Sequence, residues 1–169
     1  MTRQPSASRL AAVRALILDV DGVLTDGGLY YAESGEEMKR FDVRDGQGLV
    51  RLREAGVLVA LVTRKTSQIV ARRAAALGIT EVHQDVTDKR AMVEALLARH
   101  GIAPAAACFV GDDVNDLPAM SYVGLAAAPS DAVPQVRAAA ALVTHAPAGH
   151  GAVRELCDRL LSARARPIR

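Results

Sequence analysis

Apolar residues in this chain come in blocks. Residues 14–20 (RALILDV), 57–62 (VLVALV) and Ala107–Val110 (ACFV) are near-continuous apolar runs of four to seven positions. Runs of that kind suit strands covered on both faces, as in a parallel sheet. Between and after them the spacing changes to a helical one, over 46–55, 66–77, 89–100, 133–140 and, as a last amphipathic segment, 151–163. Gly78 and Gly101 stand where helices should stop, and Asp88 and Asp131 stand where helices should be capped. The rhythm of strand, turn and helix predicts an α/β protein with a Rossmann-like, doubly wound parallel sheet.

One stretch breaks the rhythm. Residues 27–43 (GGLYYAESGEEMKRFDV) are strand-like on both sides of Ser34-Gly35, which predicts a β-hairpin flap between the first strand and the first helix. Residues 13–169 read as a single domain, preceded by a flexible leader over 1–12 that has no apolar core of a secretory signal.

Composition narrows the class. The chain has 169 residues, half of them apolar and 24% charged, which is the make-up of a globular domain. Its apolar runs are far shorter than the ~20 residues a bilayer requires, so no membrane span is expected and the chain reads as cytoplasmic. The net charge of +2 is small, and the excess gathers at Arg164, Arg166 and Arg169. With aromatics at 3% and no Trp, neither a basic surface nor a stacking platform for nucleic acid is present. Cys108 and Cys157 stand alone and read as buried thiols.

The chemistry lies at strand ends. Asp19 and Asp21 follow the first strand, where alternation places both carboxylates on one side of its carboxyl end, the end at which open α/β sheets bind ligands. Two such carboxylates repel each other unless a cation joins them, and hard oxygen donors suit Mg²⁺. After ACFV comes a second cluster, Asp112, Asp113 and Asp116, in GDDVND. Thr63 ends the run VLVALV, and Lys89, one of three lysines in an arginine-rich chain, opens a helix. A hydroxyl and a compact ammonium beside carboxylates can hold phosphoryl oxygens.

In order, these elements read DVDGVLT, VT, DK and GDDVND. They resemble the haloacid dehalogenase phosphohydrolase superfamily, and within it the small capless 3-deoxy-D-manno-octulosonate 8-phosphate phosphatase family. The resemblance extends from Leu16 to about Leu161 through LILDVDGVLTDG, FDVRDGQG, LGIT, VGDDVNDLPAM and GHGAVRELCD. It implies Asp19 as nucleophile and Asp21 as acid and base, with Thr63 and Lys89 on the phosphoryl oxygens. Mg²⁺ would be held by Asp19, Asp112 and the backbone carbonyl of Asp21, with Asp113 and Asp116 supporting it from behind. Substrate contacts would fall on Asp42, Val43, Arg44, Asp45, Gly46, Lys65, Arg73 and Lys89. The implied substrate is a sugar-acid phosphate of lipopolysaccharide precursor synthesis. The implied assembly is a homotetramer in which flaps meet and a neighbour's segment, matched here by Gly149, His150, Gly151 and Arg154, covers the site.

The chain departs from the family in having Arg64 for a Gly, Lys65 for an Arg, Asp42 for an Asn and Val50 for an Arg. These changes keep a nonulosonate 9-phosphate in view as the alternative substrate. A phosphorelay receiver and a catalytically silent oligomerisation domain are the rivals from other classes. A receiver, however, has its phosphorylated Asp in mid-chain, and here all the reactive positions are intact.

Overall fold

The structure, a computed structural model, describes residues 5–34 and 37–165. Residues 1–4, Gly35 of the expected hairpin turn, and Arg166 and Arg169 lie outside the described residues. The chain begins with α1 (Ala7–Ala11) and β1 (Ala15–Leu18), then forms the hairpin β2 (Tyr30–Tyr31) and β3 (Glu37–Met38). It continues through α2 (Val43–Glu54), β4 (Leu58–Val62), α3 (Gln68–Ala76), β5 (Glu81–His83) and α4 (Lys89–Arg99). The second half is β6 (Ala107–Val110), α5 (Leu117–Tyr122), β7 (Leu125–Ala128), α6 (Pro134–Ala139), β8 (Leu142–Val143) and α7 (Ala152–Ala165). A 3₁₀ turn over Val114–Asp116 leads into α5.

Six strands form one parallel sheet in the order β5-β4-β1-β6-β7-β8. Winding therefore reverses beside β1, and the crevice at that reversal is where such sheets hold ligands. Alternation along the central strands fills two cores. Leu16, Leu18, Val59, Leu61, Cys108 and Val110 meet the α1, α2, α3 and α7 side, with Leu49, Leu52, Leu156 and Leu160 against them. Ala15, Ile17, Ala60, Val62, Ala107 and Phe109 meet the α4, α5 and α6 side, with Val93, Leu96, Met120 and Val136. Burial on both faces is why these strands read as continuous apolar runs.

Several expectations are corrected. Part of the supposed leader is ordered: Ser6 caps α1, Leu10 is buried, and Arg9 donates from Nε to the Gly124 carbonyl at 2.8 Å. Helix α2 starts at Val43 rather than residue 46, because the Asp42 carboxylate accepts the Arg44 N–H at 2.7 Å and so begins the helix three residues earlier. Asp88 does cap α4. Asp131 does not cap α6; it accepts the Ala148 N–H at 2.9 Å, and Val133 holds the cap position without a side-chain bond. Strands β5, β7 and β8 were not foreseen.

Candidate active site

Strand β1 ends at Leu18, and the chain turns over Gly22 and Thr25. Gly22 has φ of +79°, and a Cβ there would collide with the Asp112 carboxylate, so glycine is required both by the backbone and by the approach. The buried Thr25 Oγ1 accepts the N–H groups of Gly22 and Gly27 at 3.2 and 3.3 Å and closes this loop. The result is that Asp19 and Asp21, from β1, face Asp112 and Asp113, from the end of β6, across a cavity of about 280 Å³. Thr63, Arg64, Lys65 and Lys89 complete its wall.

Lys89 sits at the centre. Its side chain is 1% exposed, and Nζ lies 2.7 Å from Asp19 Oδ2 and 2.6 Å from Asp116 Oδ1. Asp116 is fully buried, and its other oxygen accepts the Asp112 N–H at 3.0 Å. Asp113 caps the turn that follows, accepting the Val114 N–H at 2.7 Å. One ligand oxygen from each of Asp19, Asp112 and Asp116 falls within 4.8 Å of the others.

One ammonium does not balance this cluster. Burial first, and then the neighbouring Asp19, Asp116 and Asp113, push the Asp112 carboxyl up to about 7. Burial and Asp116 push Asp19 up to about 6 despite Lys89. Carboxylates raised in this way are short of positive charge, so the donor set fits a small divalent cation with oxygen preference.

The residues singled out from sequence divide into two groups. Asp19, Asp21, Thr63, Lys65, Lys89, Asp112 and Asp113 line one cavity, with Asp116 directly behind. Asp42, Val43, Arg44, Asp45, Gly46 and Arg73 do not line it; they gather around the N-terminus of α2. There Arg44 forks onto Asp42, with Nε and Nη2 at 3.1 and 2.8 Å from its oxygens, which lowers Asp42 to about 2. Arg73 lies against Gly46, reaches the Asp42 carbonyl at 3.2 Å and stacks over Phe41. Asp45 is buried against the start of α7. Gly149 and His150 bind within the same subunit, their carbonyls accepting Arg40 at 2.6 Å and Arg44 at 3.2 Å.

Beyond the site residues singled out from sequence, Asn115 lines the cavity along with Arg64, the family departure noted above, and Lys39, on the flap, places Nζ 2.6 Å from Asp21 Oδ1. The scarcity of lysine was the one available signal for the latter.

Comparison with known proteins agrees with this geometry. Residues 45–124 match the haloacid dehalogenase-like hydrolase family. Over 154 residues the chain is 44% identical to the 3-deoxy-D-manno-octulosonate 8-phosphate phosphatases KdsC of Salmonella typhi and Escherichia coli K12, covering 91% of this chain and 82% of each relative. The chain belongs to the KdsC phosphatase family. Among solved structures, the phosphatase of Yersinia pestis superposes with a TM-score of 0.92 at 42% identity, covering 94% of this chain and 85% of that one. The 3-deoxy-D-manno-octulosonate 8-phosphate phosphatase of Moraxella catarrhalis, solved in complex with a magnesium ion, a phosphate ion and a KDO molecule, gives 0.91 at 35% identity over 94% and 91% of the two chains. Membership in the KdsC family removes the receiver reading, and the described residues form the expected parallel sheet flanked by helices, with a hairpin flap.

Proposed function

We propose that this protein is a Mg²⁺-dependent phosphomonoesterase that hydrolyses 3-deoxy-D-manno-octulosonate 8-phosphate to the free sugar acid and phosphate. The observation that carries this is the cavity in which Asp19, Asp21, Asp112, Thr63 and Lys89 converge at the carboxyl ends of β1, β4 and β6, in a chain of the KdsC family.

The chemistry follows from the placement. The Asp19 carboxylate attacks phosphorus, forming an acyl-phosphate bond as the ester P–O bond breaks. Asp21 gives its proton to the departing sugar oxygen, so a neutral alcohol leaves. Water then attacks the same phosphorus, Asp21 takes its proton, and the cleavage of the acyl phosphate restores the Asp19 carboxylate and frees inorganic phosphate. Lys89 and the Thr63 hydroxyl hold the phosphoryl oxygens through both steps. Asp19, Asp112 and the backbone carbonyl of Asp21 would hold Mg²⁺, while Asp116 stays engaged by Lys89 and by the Asp112 N–H. Bound Mg²⁺ would neutralise charge on the carboxylates and on the phosphoryl group.

Arg64 and Lys65 on the cavity wall make no ion pair with a described residue, and they suit the carboxylate of a sugar acid. They also differ from the family's usual pair, which keeps a nine-carbon ulosonate 9-phosphate as the second substrate to test. The flap leaves Leu29, Tyr30, Tyr31 and Met38 exposed, and a lone two-stranded hairpin is not stable in water, which supports assembly through flaps into a homotetramer. The enzyme would then act in the cytoplasm on lipopolysaccharide precursors.

The test is phosphate release from the eight- and nine-carbon ulosonate phosphates, from glucose 6-phosphate and from p-nitrophenyl phosphate, with Mg²⁺ and with EDTA. Turnover of the octulosonate far above glucose 6-phosphate, abolished by EDTA, is the expected result. Equal rates on acidic and neutral sugars would overturn the substrate, and no turnover at all would overturn the enzyme.

A further inference from the structure

The chain has three lysines among its 21 basic residues, and all three are at the site: Lys89 inside the carboxylate cluster, Lys65 on the cavity wall, and Lys39 behind Asp21. The first two have roles in the chemistry above. Lys39 does not line the cavity. Its side chain is 1% exposed, and its Nζ lies 2.6 Å from Asp21 Oδ1, while Asp21 itself remains 24% exposed and borders the cavity.

The position of Lys39 in the chain makes the contact unusual. It directly follows β3 on a hairpin whose Tyr31 and Met38 are 68% and 65% exposed. A flap that turns apolar side chains outward thus turns the Lys39 ammonium inward, onto the Asp21 carboxylate. Withdrawing an ammonium from water is costly, and an ion pair made only to fasten a surface hairpin does not need that burial. The next residue, Arg40, ties the same segment to the Gly149 carbonyl at 2.6 Å, so the base of the flap has its own anchor.

Resting on the phosphatase reading, we infer that Lys39 is a positioning residue for the reaction: from the flap it fixes the Asp21 carboxylate by Oδ1 and leaves the other oxygen to exchange the proton with the leaving alcohol and with water. Flap placement and proton transfer are thereby coupled.

The experiment compares wild type, Lys39→Met and Lys39→Arg, each with Mg²⁺, on the octulosonate phosphate and on p-nitrophenyl phosphate. The sugar oxygen needs a proton to leave; p-nitrophenolate does not. Lys39→Met should lower kcat on the sugar ester at least tenfold with KM within about threefold. On the aryl ester it should keep a rapid release of close to one equivalent of p-nitrophenolate followed by slow turnover, because phosphorylation of Asp19 survives and activation of water does not. That burst also counts the correctly folded sites. Lys39→Arg should recover most of the lost rate. Equal loss on both esters with no burst, an arginine variant as poor as the methionine one, or no loss in Lys39→Met would overturn the inference. Wild-type protein inert on both esters would instead overturn the phosphatase reading beneath it.

Discussion

Asp45, inside helix α2, caps a different helix: its Oδ1 accepts the Arg154 backbone N–H at 2.8 Å, and its Oδ2 accepts that of Gly151 at 3.3 Å. Helix α7 begins at Ala152, so these are donors of its first turn, and Gly151 at the boundary has no side chain with which to satisfy them. One carboxylate from α2 thus fixes where α7 starts and holds it on the sheet, with Gly48 providing the close approach to Arg154 and Cys157.

Asp45→Ala would leave two amides without their acceptor in a place that is almost fully buried. The expected loss is about 1–2 kcal/mol of stability, read as a lower urea midpoint, with Asp45→Asn losing less because it keeps one oxygen. A drop in kcat/KM at unchanged stability would instead return Asp45 to the substrate.

Asp19→Asn should abolish turnover while the metal-free protein at neutral pH stays as stable or becomes more so, since one of three crowded acids is neutralised. Thermal melts in EDTA and phosphate assays on the same preparation test both halves. Residual turnover above about a thousandth of wild type would remove Asp19 as the nucleophile.

How far the sequence could be read depended on what each residue was doing. The carboxylates that line the cavity were legible because they follow strands whose both-face burial leaves an unmistakable apolar run, as at β1 and β6. Strand β7 was not, because Leu125–Ala128 is three-quarters alanine, a residue that favours helix and lacks the β-branched signature of a strand, although the segment pairs with β6 and β8. Strand β5 sits at the sheet edge with half-buried Glu81 and His83, whose side chains bond to each other, so it lacks the apolar signature altogether. At the site, Lys39 and Asp21 are 18 positions apart, and Asp45 and Arg154 are 109 apart. No local pattern encodes such pairs. The cluster at α2 shows the converse: FDVRDG is locally conspicuous, yet in one subunit its charges are spent on Arg44–Asp42 and on capping α7.

The metal-free protein should lose stability as pH rises. Asp112 and Asp19 have folded-state values of about 7 and about 6, above the value near 4 of an unfolded aspartate. Between about pH 4 and pH 7 the folded protein therefore holds more protons than the unfolded one. Their stabilising contribution is complete below about pH 4 and is lost as pH rises through 6 to 7. Melting temperature in EDTA should fall from about pH 5 to pH 8, Asp112→Asn should flatten that fall, and millimolar Mg²⁺ should raise the wild-type value most at the upper end. A profile that Asp112→Asn leaves untouched would mean the cluster is not its source.

Selection for an acidic sugar should rest on Lys65 rather than Arg44. The Arg44 guanidinium is already forked onto Asp42 and reaches the His150 carbonyl, so a substrate carboxylate would have to compete with a partner held at 2.8 Å. Lys65 is exposed on the cavity wall, with no ion pair to a described residue. A charge-assisted contact at such a rim is worth about 1–2 kcal/mol, or roughly five- to thirtyfold in kcat/KM. Lys65→Met should therefore lower kcat/KM on the octulosonate phosphate by that factor and leave p-nitrophenyl phosphate nearly unchanged. Arg44→Ala should leave the ratio between the two substrates where it was. If Arg44→Ala narrows the ratio and Lys65→Met does not, the substrate carboxylate is met by Arg44, which must then release Asp42 during the catalytic cycle.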